Sequence, residues 1–137
     1  MATMQQAIDA IQAKVRALSG IRAAPDEAPE GAGAFPFAIC YPVEGTWTLG
    51  NPEGAMKGLH TVHLEIHCAR KNLEKDLQIA MAYSENVMNA LAGDLTLGGT
   101  CDNIGSISYR FGEMRYGGKQ TLGWQFRITF KQRPAVT

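Results

Sequence analysis

Three residues able to hold an ion or move a proton stand two apart in this chain: His63, Glu65 and His67. On an extended strand, side chains two apart point the same way, spaced about 7 Å from one to the next. His-x-Glu-x-His on one strand face offers two imidazoles and a carboxylate to a metal, or an acid–base set to a substrate. A closed tetrahedral site needs further donors from other strands, and His60 projects from the opposite face. The pattern therefore reads first as a polar face, solvated or pressed against something else, with no metal expected. A small metal- or ligand-binding enzyme using His63, Glu65 and His67 is the alternative of a different class. His63 and Glu65 also match the H-x-E half of the zinc deaminase signature, but the P-C-x-x-C half is absent.

The other candidates for chemistry are weaker. A cysteine nucleophile needs a base beside it. Cys68 alternates onto the apolar side of its strand, away from His67, and reads as a buried thiol; Cys40 and Cys101 have no base nearby in sequence. Three cysteines without C-x-x-C spacing, and no N-x-S/T sequon, point to a reducing compartment. Gly98-Gly99 and Gly117-Gly118 fit neither a dinucleotide fingerprint nor a P-loop and read as turns. No catalytic residue, cofactor-binding residue or cofactor is expected, and the chain reads as a non-enzyme.

The elements that must carry these residues follow from periodicity. Met4, Ile8, Ile11, Val15 and Leu18 form one helical stripe over residues 3–19, opened by a Thr3/Gln6 capping box and stopped at Gly20. Residues 23–34, with two prolines, two glycines and three acids, form a loop. Phe35–Tyr41 is a strand, with Pro36 at its start. Val43–Gly58 holds five glycine or proline breakers together with Trp47, Leu49 and Met56. It reads as a long loop, with a hairpin arm possible at Thr46–Leu49. Leu59–Ala69 alternates strictly as a strand. Asn72–Leu91 is a second helix, with Leu73, Leu77, Ala80, Met81, Ser84, Val87, Met88 and Leu91 on its apolar face and Gly93 closing it. Ile107–Phe111 and Leu122–Phe130 form a hairpin turning at Tyr116-Gly117-Gly118-Lys119. The five alternating apolar residues of that last strand place it centrally in its sheet.

The expected architecture is one α+β domain over residues 1–137. A mainly antiparallel four-stranded sheet carries two helices on one face, with a long loop or arm at 43–58 and a frayed tail at 134–137. The 137 residues suit one domain, and 45% apolar with 19% charged residues suits a globular chain. No apolar run approaches the roughly 20 residues that span a bilayer, so no membrane partner is expected. Net charge is zero but divided: from Tyr109 onward six basic residues face one acid, giving +5 there and −5 before it. Opposite poles meet within the fold or between copies. Trp47, Leu49 and Met56 on the long stretch, with Arg127 and Lys131 on the basic hairpin, are the candidate partner-contact residues.

The order helix–strand–loop–strand–helix–hairpin resembles the tail terminator (tail completion) proteins of long-tailed bacteriophages. Three stretches carry the resemblance: Leu59–Ala69 running into the helix from Asn72; Leu95-Thr96-Leu97-Gly98-Gly99-Thr100; and Ile107–Glu113 with Gly117-Gly118 and Leu122-Gly123-Trp124. The resemblance implies a structural virion protein, assembled in the host cytoplasm and placed at the head-proximal end of the tail. It would be a homohexameric ring that caps the tail tube and joins it to the head–tail connector. DNA would pass through the ring without specific binding. Another head–tail connector component or a minor tail protein is the nearby alternative.

Overall fold

The computed structural model describes residues 3–18, 21, 24, 36–49, 57–68, 78 and 80–132. Among the described residues two helices and four strands run in the order α1 (Met4–Arg16), β1 (Phe37–Thr48), β2 (Lys57–Cys68), α2 (Tyr83–Ala92), β3 (Asn103–Tyr116) and β4 (Lys119–Gln132). This is the expected α+β architecture. The expected loop at 23–34, the Gly20 stop, the Asn72 cap and the 134–137 tail lie wholly or mostly outside the described residues.

Helix α1 begins as its sequence dictates. The Thr3 hydroxyl accepts from the Gln6 amide at 3.2 Å, and the Gln6 side chain accepts from the Thr3 amide at 2.8 Å. Two donors at the helix start that have no intrahelical acceptor are thereby satisfied. Ala7, Ile8, Ile11 and Val15 are buried against the sheet. Helix α2 buries Tyr83, Val87 and Leu91, and Ala80 is buried just before it; of the expected apolar face Met81 and Met88 lie exposed, and Leu73 and Leu77 lie outside the described residues. Gly93 ends α2 at φ −73°, an ordinary right-handed cap, so its left-handed freedom goes unused. Positive φ falls instead on Leu97, Gly98 and Gly99.

The sheet is antiparallel throughout, in the order β1-β2-β4-β3. Strand β4 is central, as its apolar load requires. Its Trp124, Phe126, Ile128 and Phe130 join Val62, Leu64 and Ile66 of β2 under the helices. The β3–β4 turn falls at Gly117 (φ 60°) and Gly118 (φ 81°), where a two-residue hairpin turn needs left-handed backbone. The Trp124 indole donates to the Ala80 carbonyl at 2.7 Å, and the Gln132 amide to the Thr3 and Thr100 carbonyls at 2.9 and 2.7 Å. These bonds tie the central strand to both helical regions.

Two expectations are corrected. Much of the 43–58 stretch is strand: β1 continues through Pro42 and Gly45 to Thr48, in register with β2 as far as Lys57. Proline and glycine are tolerated because β1 is an edge strand and the ladder shifts register between Pro42 and Glu44, a bulge that absorbs Val43. The 43–58 region is therefore a hairpin arm whose strands extend the sheet; residues 50–56 lie outside the described residues. The second correction concerns the polar face of β2. Thr61 and His67 are buried on it. Phe37 stands opposite His67 in the ladder, and Tyr116 of β3 reaches over to meet both rings, at 4.8 Å from Phe37 and 5.5 Å from His67. Gly123 lets β4 come close to the β2 backbone. It is the residue of β4 paired with His67, and a Cβ there would run into the Ile66 carbonyl.

Candidate functional site

Residues directly opposite one another in an antiparallel ladder share a face. His63, Glu65 and His67 therefore lie beside Tyr41, Ile39 and Phe37 of β1 and Arg127, Gln125 and Gly123 of β4. Glu65 is the hub. Its Oε1 accepts from His67 Nε2 at 2.8 Å, and its Oε2 accepts from the Tyr41 hydroxyl and from Gln125 Nε2 at 2.9 Å. Arg110 Nη2 donates to Gln125 Oε1 at 3.1 Å and extends the chain to β3. An ionised carboxylate only accepts, so His67 Nε2 carries the hydrogen in that bond, which leaves Nδ1 facing the Thr121 hydroxyl at 2.5 Å.

The electrostatics describe a clamp rather than a reaction centre. Burial opposes ionisation of Glu65, but the bonds from His67, Tyr41 and Gln125 outweigh it and hold the carboxyl at about 2. Burial, and then the neighbouring Glu65 carboxylate, push the Tyr41 hydroxyl well above its usual value. A carboxylate held so low is a poor base at neutral pH, and a phenol held so high is a poor acid. Both ring nitrogens of His67 are engaged. His63 Nδ1 lies 3.4 Å from the Tyr41 hydroxyl, and burial followed by Arg127 holds the His63 pKa below its usual value. Among the described residues no three of His, Cys, Asp and Glu are placed to hold a metal ion. Cys40, Cys68 and Cys101 are buried and free, and burial pushes the thiols of Cys40 and Cys101 up to about 12 and about 11. These two are poor nucleophiles.

The expected contact residues divide between the two faces of the sheet: Trp47 shares the face of Gly58 and His60, whereas Arg127 and Lys131 pair with His63 and Leu59 on the other. Trp47 is 47% exposed and Leu49 66%; Val43 on the same strand and Leu59, on the other face of β2, are exposed as well. Lys131 stands opposite Leu59 across the β2–β4 ladder, and Arg127 is ion-paired with Glu44 at the arm's base. Met56 lies outside the described residues. Sequence reasoning missed Leu59, although strict alternation already set it on the polar face with Thr61 and His63.

A second apolar area, at the opposite edge of the sheet, was also missed. Tyr109 of β3 is 63% exposed, and with Ser84, Glu85, Met88, Ile107 and Phe126 it lines a groove of about 180 Å³ between α2 and the sheet. Periodicity sets Met88 on the apolar face of its helix and Tyr109 in step with Ile107 and Phe111 on its strand. Neither reading anticipates that α2 leaves the β3 edge uncovered. Among the described residues β1 and β3 each have only one strand neighbour, so both edges of the sheet are open. Among them, too, no helix is long and apolar enough to cross a membrane.

No protein-family model matches the chain, and no curated protein matches it.

Proposed function

We propose that this protein is a ring-forming structural component of a phage tail: a tail terminator that caps the tail tube and presents a surface to the head–tail connector. The observation that carries the reading is the pairing of two unlike, unsatisfied edges. At the β1 edge an arm carries the exposed apolar residues Trp47 and Leu49; at the β3 edge an open strand and the Tyr109–Met88 groove lie uncovered. Edge strands invite pairing, and exposed apolar patches mark contact sites. Because the two surfaces lie on opposite edges of one sheet, a contact between them is head-to-tail. Such a contact repeats from copy to copy and closes into a ring when the rotation allows.

Charge supports the same arrangement. The sequence leading into β1 carries Asp26, Glu27 and Glu30, whereas the β3–β4 hairpin carries Arg110, Arg115, Lys119, Arg127 and Lys131 against Glu113. Where opposite charges of this kind meet between copies, they steer association. The order of elements and the resemblance to tail terminators support the reading of a ring in a virion, with six copies as the expected number. The polar network on β2 then acts as a brace that holds the sheet rigid.

The test uses the purified full chain. Light scattering and negative-stain images should show closed rings, and the protein should bind the ends of tail tubes. Trp47→Glu or Leu49→Glu should abolish rings while leaving the circular dichroism spectrum unchanged. A wild-type protein that stays monomeric at high concentration and ignores tube ends overturns the reading.

A further inference from the structure

His60 is the least expected buried residue in the molecule. It is 1% exposed, and neither ring nitrogen has a hydrogen-bond partner among the described residues. Buried polar groups are nearly always bonded, so an orphan of this kind needs a physical account. Its surroundings supply one. Gly45 and Gly58 stand on either side: a Cβ on Gly45 would lie 2.5 Å from Nδ1, and one on Gly58 would lie 2.5 Å from Nε2. The Trp47 ring packs edge-on at 4.5 Å and Phe130 at 5.8 Å. The imidazole thus fills a box formed by two bare stretches of backbone and two aromatic rings, with no room beside its nitrogens for a ligand.

The box sits at the root of the β1–β2 arm, where Gly45 pairs with His60 and Trp47 with Gly58. No charge faces it. Its same-face neighbours are Gly45 and Trp47 on β1, Gly58 and Val62 on β2, and Ile128, Phe130 and Gln132 on β4. The Gln132 amide is already engaged by the Thr3 and Thr100 carbonyls. The ionisable side chains next along the neighbouring strands, Glu44 and Lys131, pair with Thr61 and Leu59 and so point to the other face.

We propose that His60 is an acid-sensitive latch for the Trp47 arm: neutral, it seats the indole and holds the arm on the sheet; protonated, it leaves the box and the arm is released. A charged imidazole there would have neither a counter-charge nor an acceptor for its two N–H groups. Burial alone holds its pKa below the usual value. The sign follows. The closed arm keeps the ring neutral, whereas the open arm takes up a proton near the ordinary value of 6.5. The closed state is fully favoured above that value and loses ground as pH falls through the lowered pKa of the seated ring. The latch is a property of one chain and does not depend on assembly. Under the ring reading above, its release would also withdraw Trp47 from the contact between copies.

Amide hydrogen exchange of the full chain, normalised for intrinsic rates, tests this at about pH 7 and about pH 5. Arm amides from Gly45 to Thr48 and from Gly58 to His60 should lose protection at the lower pH, since below the open-state pKa each pH unit multiplies opening by up to about tenfold until the lowered pKa of the seated ring is reached. Amides of Ser106–Phe111 should keep theirs. His60→Phe should abolish the pH response, and His63→Gln should preserve it. Should His60→Phe fail to fold, the wild-type His60 ring resonances decide: they should titrate below the ordinary histidine value. A ring titrating at or above that value, an arm equally protected at both pH values, or a response that survives in His60→Phe overturns the latch.

Discussion

His60 and His67 lie on the same strand, seven residues apart and on opposite faces, and both are buried. They solve the problem of a buried imidazole in opposite ways. His67 has a carboxylate on one nitrogen and a hydroxyl on the other, and its bonds reach through Glu65 to Tyr41, Gln125 and Arg110. Among the described residues His60 has no partner on either nitrogen, and shape holds it. The first arrangement braces all four strands; the second leaves a polar ring whose seat depends on its staying neutral. Burial by itself therefore does not tell whether a histidine stabilises a fold. What matters is whether its nitrogens are answered.

Substitutions at the two sites should separate these roles, and the largest effect belongs to the glycine beside His67. Gly123→Ala drives a methyl group into the Ile66 carbonyl and forces β2 and β4 apart. Urea unfolding should register a loss of about 4 kcal/mol, at the upper end for single substitutions. A loss below about 1 kcal/mol would mean that the strands do not approach as described. Next comes the contrast between the rings themselves. His67→Phe strands the Glu65 carboxylate and the Thr121 hydroxyl and should destabilise by about 3 kcal/mol. His60→Phe removes two unanswered polar atoms and should change stability by no more than about 1 kcal/mol at neutral pH. Equal losses at both positions would erase the distinction. On the His60 side, Gly58→Ala crowds both Nε2 and the Trp47 ring and should cost about 2 kcal/mol, less than Gly123→Ala because aromatic side chains yield more readily than backbone.

The smallest and most discriminating effect is in the pH dependence of unfolding. The Glu65 pKa is lowered from 4.5 to about 2, so its contribution is complete above pH 4.5 and disappears as pH falls through about 2. The His60 pKa is lowered from 6.5, so its contribution is complete above pH 6.5 and declines as pH falls toward the lower value of the buried ring. The His63 pKa is lowered in the same direction. Urea midpoints followed from pH 8 to pH 3 should fall in two stages. His60→Phe should flatten the stage that begins near 6.5, and Glu65→Gln the one that begins near 4.5. A single stage in wild type, or both stages altered by one substitution, would contradict the assignment.

Much of this was legible in the residues themselves. The Thr3/Gln6 box, the alternation of β2 and β4, the Gly117-Gly118 turn and the central place of β4 are local or nearly local features. Sequence spacing reports them directly. The placement of His60 opposite His63, Glu65 and His67 follows from the same two-residue period. The arm was half legible: Trp47 and Leu49 stood out as apolar residues without cover, but Pro42 and Gly45 disguised a strand. Tyr41, Thr121, Gln125 and Arg110, which complete the Glu65 network, were not legible as a group. They come from three other strands, and cross-strand register decides which side chains meet.

The amino-acid sequence alone determined which segments become helix or strand and which side of each is apolar, because backbone periodicity turns residue order into faces. Only the tertiary structure decided that His67 is answered and His60 is not, that Gly123 is where two strands nearly touch, and that the Trp47 arm and the Tyr109 groove lie on opposite edges. Those facts depend on distances between residues remote in the chain. Such distances are set when the whole sheet closes under its helices, and no stretch of sequence contains them.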